Sequence, residues 1–308
     1  MEALVALRSA VRAALEKFSA GEVILVAVSG GADSLALAEV AKIEGEKLAL
    51  KVIGVTIDHQ LQIGSAEQAK KVSAQISIPC TIEKVEVKLT DGLESSARRA
   101  RYAALEKCAS ENNAVAVLLG HTKDDQAETV LLGLARGSGA RSLSGMSEVS
   151  GIYLRPFLEI TRQQTLKACA ELKLEPWNDP HNEDESFLRV KVRKNVLPVM
   201  ESELGPGIKD ALTRSAKLLR DDADALDQLA MEFWQRDKSL EVEQLTKLSK
   251  AVRTRVLRLA LFERGITQLS AEQVGQVEAL ISNWKGQGEV SLPSGVKVSR
   301  ISGRLTLS

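Results

Sequence analysis

The sequence predicts a doubly wound α/β fold built on a parallel sheet, followed by a smaller, mixed and mainly helical domain. Three observations predict it. Short runs at 23–28 and 114–119 are wholly apolar and a third at 52–57 is broken only by Gly54 and Thr56, as in strands buried on both faces of a parallel sheet. Segments with helical spacing lie between them, the alternation that marks βαβ units. Each of the three runs ends in polar residues: Ser29 to Ser34, Asp58-His59, and His121 to Glu128.

Taken in order, Leu4, Leu7, Val11, Leu15 and Phe18 recur at helical spacing and predict an amphipathic opening helix. The run Val23–Val28 is the first strand, and a helix begins at Ser34. The second strand covers Val52–Ile57. A helix around Ala66–Ile76 leads to a strand over Thr81–Val87, a helix over Ser95–Asn112 and a fourth strand over Ala114–Leu119. After Pro156 the pattern weakens into helices with irregular connections, including Pro176-Trp177-Asn178-Asp179-Pro180. The two glycines and proline of Glu203 to Gly207 mark a linker, so a first domain is expected over 1–206 and a second over 207–308. The second opens with a long, charge-rich helix from Ile208 to about Arg236, continues as helix from Gln244 to Ser282, and ends in short strands between Gly288 and Ser308.

Composition narrows the function classes. Of the 308 residues, 44% are hydrophobic and 27% charged, the ordinary globular balance. Aromatics are only 3%, so the core must be aliphatic. No run of about 18 apolar residues is free of charge, so no membrane span is expected. Glu2, Arg8, Arg12 and Glu16 interrupt any secretory apolar region. Cys80, Cys108 and Cys169 stand far apart with no CxxC pair, which argues against a disulfide framework or a thiolate metal site and fits a reducing cytoplasm. Forty-one basic residues balance forty-one acidic ones, so any RNA contact needs a locally basic face.

Ligands of open α/β sheets bind beyond the carboxyl ends of the strands, at a topological switch point, and the three polar endings fall at such ends. In Ser29-Gly30-Gly31-Ala32-Asp33-Ser34 the glycines let backbone approach an anion, and the free amides of the helix start point toward it. Asp33 is the odd member: a carboxylate beside phosphate repels it unless a cation intervenes, and magnesium is the usual bridge. The competing reading is a Gly-Gly turn with Asp33 as a helix cap. In the third ending, Asp125 and Glu128 stand three apart and share a helical face if Asp124 starts the helix. A bound cation, metal or ammonium, would offset their repulsion, and His121 at the strand end is placed to donate to a phosphate or move a proton.

The loop Ser29 to Ser34 after an apolar strand resembles the pyrophosphate-loop (PP-loop) signature of the N-type ATP pyrophosphatases. These enzymes split ATP into AMP and pyrophosphate, usually to adenylate a carbonyl oxygen. Gly120 to Thr129, then Arg136-Gly137-Ser138-Gly139 and Gly145-Met146, are similar to the tRNA(Ile)-lysidine synthetase family. Arg155-Pro156-Phe157, Trp177 to Pro180, Phe187-Leu188-Arg189 with Arg193, and Ala97-Arg98 with Arg101-Tyr102 extend the likeness. It covers roughly residues 20 to 200; beyond 206 it rests on domain layout and on Leu292-Pro293-Ser294-Gly295.

The resemblance implies a Rossmann-like ATPase domain and a C-terminal tRNA-binding domain. It implies ATP and Mg2+, L-lysine, and tRNA(Ile) with a CAU anticodon as cofactors and partners, with a homodimer left open. The C2 carbonyl of the first anticodon cytidine would be adenylated and then attacked by the lysine ε-amine, giving lysidine, AMP and pyrophosphate. By this likeness Ser29, Gly30, Gly31, Ala32, Asp33 and Ser34 bind ATP, and Asp33 also holds magnesium. His121 and Asp33 serve catalysis; Asp125, Glu128 and Arg101 hold lysine; Arg189, Arg193, Arg136 and Arg253 contact tRNA. Gln62, Ser142, His181 and Val190 depart from the family pattern and leave tRNA contact open. Two other readings compete. One is another ATP pyrophosphatase ligase or a tRNA thiolase, for which the isolated cysteines are unsuited. The other is a catalytically silent RNA-binding protein, which would not need Asp33, His121, Asp125 and Glu128 together.

Overall fold

The computed structural model describes residues 2–60, 64–87, 92–137, 139–179, 183–267 and 269–308, the side chains at 93, 94 and 294 aside. Gln62, Ser138, Pro180 and His181 lie outside them. A six-stranded sheet runs through the first part: β1 Val23–Ala27, β2 Lys51–Asp58, β3 Cys80–Lys84, β4 Ala114–Leu118, β5 Val149–Ser150 and β6 Tyr153–Leu154, in the order β3-β2-β1-β4-β6-β5. All neighbours pair parallel except β5 with β6. With them run α1 Glu2–Leu15, α2 Ala32–Lys47, α3 Ser65–Gln75, α4 Leu93–Glu111, α5 Lys123–Ala135, α6 Ala140–Leu143, α7 Arg162–Glu171, α8 Leu188–Lys191 and α9 Leu197–Glu203.

The period of two in β1 sorts its side chains to two cores. Ile24, Val26 and Val28 pack with Leu7 and Leu15 of α1, Leu35 and Leu37 of α2, and Val72 of α3. Leu25 packs on the other face with Leu105 and Cys108 of α4. Strand β4 divides likewise, Ala116 and Leu118 to one core and Val117 and Leu119 to the other. Burial on both faces is the reason these runs carry no polar residue. The expected helix from Ser34 starts earlier, at Ala32, and β3 is shorter than expected, ending at Lys84. The β5–β6 hairpin was not legible: two-residue strands carry no period, and only Gly151 at φ +60° marks the turn.

One buried charge ties α1 to α2. Glu44 is fully buried and accepts hydrogen bonds from Arg8 (2.7 Å), Arg12 (2.7 Å) and Lys47 (3.1 Å). Burial alone would raise its pKa, but these donors outweigh it and hold the carboxyl at about 2.

The chain divides into compact units Met1–Lys217 and Leu218–Ser308. The division falls inside the helix α10 Ile208–Arg236, which is followed by α11 Val242–Thr246, α12 Lys250–Phe262 and α13 Ala271–Ser282. The expected helix over 244–282 is thus three helices, the last two started by Ser249 and Ser270, whose side chains accept from Val252 and Gln273 amides. Strands β7 Val290–Ser291, β8 Lys297–Ile301 and β9 Arg304–Leu307 are the expected short strands, and they pair antiparallel in one sheet. A separate aliphatic core, including Leu245, Val256, Leu257, Leu280 and Val298, fills the second unit.

Candidate active site

Strand order reverses between β1 and β4: β2 and β3 lie to one side of β1, β4 and β6 to the other. The loops leaving β1 and β4 therefore bound one crevice, the switch point where α/β sheets take ligands. Their approach depends on Gly120. A Cβ there would sit 3.1 Å from the carbonyl carbon of Asp33 and 3.2 Å from the amide of Ser34.

The first loop is tightened by its serines. Ser34 donates its hydroxyl to the Gly31 carbonyl (3.0 Å) and accepts from the Ser29 amide (3.1 Å). Gly30 takes φ +87°, and a Cβ there would press within 2.5 Å of Val72. Gly31 precedes α2 in extended conformation, with no side chain capping the helix. The first-turn amides therefore face the crevice, a cradle for phosphate oxygens. Beside the loop, at the ends of β1 and β2, lies a cavity of about 120 Å³ whose lining includes Ser29, Asp58, His59, Val72 and Trp177.

Asp33 does not cap α2. It accepts from the Thr165 hydroxyl and from Arg162 Nη2 at 3.4 Å, both on α7. Burial pushes its carboxyl pKa up; Arg162 and Thr165 oppose this, and Asp125 and Asp124 add to it. The same Arg162 nitrogen lies 3.8 Å from Asp125 Oδ1. One guanidinium thus spans the glycine loop and the acidic helix start.

Helix α5 begins at Lys123, one residue earlier than the expected Asp124, after the buried Thr122. Thr122 donates its amide (2.8 Å) and hydroxyl (2.9 Å) to Asp125 Oδ2, which leaves Oδ1 toward Arg162 and Arg193. Asp124 accepts from the Arg162 amide (2.8 Å) and from Lys209 (2.7 Å). Asp125 and Glu128 are both buried on one face of α5. The positive charge expected to offset their repulsion comes in part from arginines of the chain itself. Arg193 binds Glu128 with two nitrogens, at 2.6 and 3.1 Å, and Arg189 Nε lies 3.6 Å from it. Burial still pushes the Glu128 carboxyl up, with Arg193 opposing and Asp125 adding.

Arg189 and Arg193 share their aim because α8 runs on into a wide π-helical turn over Val192–Val196, just before Pro198. They line the crevice interior, side chains about one-quarter exposed. Arg101 on α4 stacks beside Tyr102, its guanidinium 5.7 Å from the ring centre. Its charge bears on both His59 and His121. Burial, with Arg101, Arg155 and Arg98 against Asp125, pushes the His121 pKa down to about 3, so its imidazole is neutral.

Buried polar atoms without a hydrogen-bond partner gather here among the described residues: Asp58 Oδ2, His59 Nδ1, Arg101 Nε, His121 Nδ1 and Arg189 Nε. Such atoms normally find partners, so their concentration at the strand ends marks a ligand site. The described residues contain no group of three or more His, Cys, Asp or Glu able to hold a metal by themselves. Mg2+ keeps waters and binds through one or two carboxylates plus phosphates, a donor set that Asp33 and the cradle fit.

Sequence reasoning missed Arg162 and Thr165; their available signal was the Thr161-x-x-Gln164 capping box that starts α7 and sets them one turn apart. Gly145-Met146 is explained by Gln126, whose side chain bonds the Met146 amide (2.6 Å) and carbonyl (2.8 Å) under Gly145. Arg136 is exposed at the end of α5. The expected tRNA contact at Arg253 is corrected. It is only 8% exposed, bonded to Glu278 Oε1 through Nε (3.0 Å) and Nη2 (2.5 Å), and to the Leu245 and Leu248 carbonyls. It closes the second unit's core. Of the departures, Ser142 lies on α6 and Val190 is buried on α8.

The model of the PP-loop domain family matches residues 5–200, and that of the TilS substrate binding domain matches 240–306. The tRNA(Ile)-lysidine synthase of Thermobifida fusca is 48% identical, covering 98% of this chain and 96% of that one. The chain belongs to the tRNA(Ile)-lysidine synthase family. The Streptomyces coelicolor member is also 48% identical, over 92% of this chain and 84% of its own. The tRNA thiolase NcsA of Methanococcus maripaludis superposes with a TM-score of 0.58 at 18% identity, over 70% of this chain and 78% of its own, a likeness of fold alone. Membership makes the chain a ligase-type, ATP-using PP-loop enzyme. No helix among the described residues is long and apolar enough to cross a membrane.

Proposed function

We infer that this enzyme ligates L-lysine to C2 of the cytidine at the first anticodon position of a CAU-anticodon tRNA(Ile), in the cytoplasm, at the expense of ATP. The C2 oxygen attacks the α-phosphorus, and the bond to pyrophosphate breaks. The neutral ε-amine of lysine then attacks C2, and the bond to AMP breaks, leaving lysidine. The amides of Ser29 to Ser34 hold the polyphosphate, and the cavity at Trp177 and His59 suits the nucleoside. When bound by Asp33 and phosphate oxygens, Mg2+ supplies charge neutralisation.

The chain's own groups do the rest. His121, neutral at physiological pH, offers a hydrogen bond to developing charge without carrying a competing one. Asp125, Glu128 and Arg101 surround the lysine. The arginines already balancing that acidic pair make lysine entry an exchange of cations, and the raised proton affinity of Glu128 suits a group near an amine that must lose its proton. Arg189, Arg193 and Arg136 hold RNA.

The observation that carries this reading is the single Arg162 guanidinium against both Asp33 and Asp125. It sets the nucleotide loop and the acidic helix start on one volume. Purified protein with ATP, Mg2+, tritiated lysine and a CAU-anticodon transcript is expected to label the RNA. Labelling of a methionine tRNA to the same extent, or none of either, would contradict the assignment. A thiolase reading gains nothing from the cysteines: Cys80, Cys108 and Cys169 lie on β3, α4 and α7, and burial pushes the Cys169 thiol to about 11.

A further inference from the structure

Beside the crevice, α4, α5 and α8 enclose a cavity of about 280 Å³ whose lining includes Ser95, Arg98, Thr129, Arg136, Leu188 and Arg189. Three guanidiniums from three separate elements converge on it, and no carboxylate lines it among the described residues. Among those residues neither Arg98 nor Arg136 forms an ion pair; Arg98 lies over the Tyr102 ring at 5.0 Å. Arg189 holds the Thr129 hydroxyl through Nη2 (3.1 Å), while its buried Nε makes no hydrogen bond. Like charges gathered in so small a space repel unless an anion joins them, and planar guanidinium forks match phosphate oxygens best. Leu188, 65% exposed at the mouth, offers an apolar surface to a ribose.

We propose that this cavity seats a backbone phosphodiester of the RNA strand adjoining the target nucleotide, held by Arg98, Arg136 and Arg189. The proposal rests on the lysine-ligating reading and adds the place where the strand is gripped. Arg189 links the seat to the reaction site, since the same side chain lies 3.6 Å from Glu128. A phosphate fixed here sets the strand's position without reading its sequence, leaving the neighbouring base free to turn into the crevice.

The test is tRNA binding by the full chain over a series of potassium chloride concentrations, for R98A, R136A, the double variant and R136K. Each alanine is expected to flatten the log–log salt dependence by about 0.7, the share of one phosphate of single-stranded RNA. Affinity should fall on the order of tenfold for each guanidinium–phosphate hydrogen bond removed, equally for isoleucine and methionine tRNAs. R136K should keep the wild-type slope, separating charge from fold. An unchanged slope in the double variant would overturn the proposal. So would a raised KM for lysine with unaltered tRNA binding, which would assign the cavity to a carboxylate. A wild-type protein that incorporates no lysine sinks the underlying reading instead, so the two failures are distinct.

Discussion

Gly120 and Asp33 touch backbone to backbone: a β-carbon on Gly120 would lie 3.1 Å from the Asp33 carbonyl carbon and 3.2 Å from its oxygen. The atoms that would have to yield are backbone of the loop proposed to hold phosphate and not the end of a flexible side chain. Gly120→Ala is therefore expected to displace the loop. Crowding of this kind costs about 1–3 kcal/mol, and the KM for ATP should rise while tRNA affinity holds. Thermal melting and steady-state kinetics check this together; an unaltered ATP KM would mean that the loop gives way freely.

His121 is pushed down to about 3 by burial and by the arginines around it. Its folded pKa lies below its unfolded value, so it takes up its proton more readily when unfolded. Stability is consequently lost as pH falls below about 6.5, the unfolded pKa, toward the folded one. The imidazole carbon resonance of His121 should keep its neutral chemical shift down to pH values where an exposed histidine is fully charged. An inflection near the ordinary histidine value, absent in His121→Asn, would show that the ring is hydrated.

Glu44 runs the same way as His121, in a more acidic window: its carboxyl is held at about 2, below its ordinary value of 4.5. Its contribution is present above the unfolded pKa and is lost as pH falls from there through the folded one. Glu44→Gln should lower stability at neutral pH by about 1–3 kcal/mol, at the lower end because the freed Arg8, Arg12 and Lys47 are half-exposed and rehydrate. Denaturant unfolding at several pH values should bring variant and wild type together in acid. A constant gap would remove the ion pair from the account.

Arg253→Ala should destabilise the Leu218–Ser308 unit by about 3–5 kcal/mol, because Glu278 is left charged and buried. The double replacement Arg253→Met with Glu278→Leu should recover most of that loss. Salt dependence of tRNA binding should match wild type wherever the variant is folded. A flattened slope without destabilisation would restore Arg253 to the RNA surface.

What the sequence disclosed depended on whether a residue's neighbours lay nearby in the chain. Strands β1 and β4 were legible because both faces are buried, and Ser29 to Ser34 because its parts are consecutive. Arg162 and Thr165 escaped because they meet Asp33 across 129 and 132 residues, with no local spacing to link them. Arg253 was misread through charge alone. It shares a helical stripe with Leu257 and Ala260, both buried, so its core-facing position was in the pattern. The balance of Glu128 by Arg193 was hidden too, since nothing local in a sequence pairs a carboxylate on one helix with a guanidinium 65 residues later.

The wide turn at Val192–Val196 works as a phase adjuster between Arg189 and Pro198. Pro198 cannot donate a backbone hydrogen bond, and its ring crowds the carbonyl four positions earlier, so a surplus residue in the turn relieves it. Deleting that surplus would restore ordinary pitch and swing everything upstream by about 100°. The two arginines would then sweep off their shared carboxylate. Substitutions on the outer side of this turn should be tolerated, whereas a change in its length by one should not.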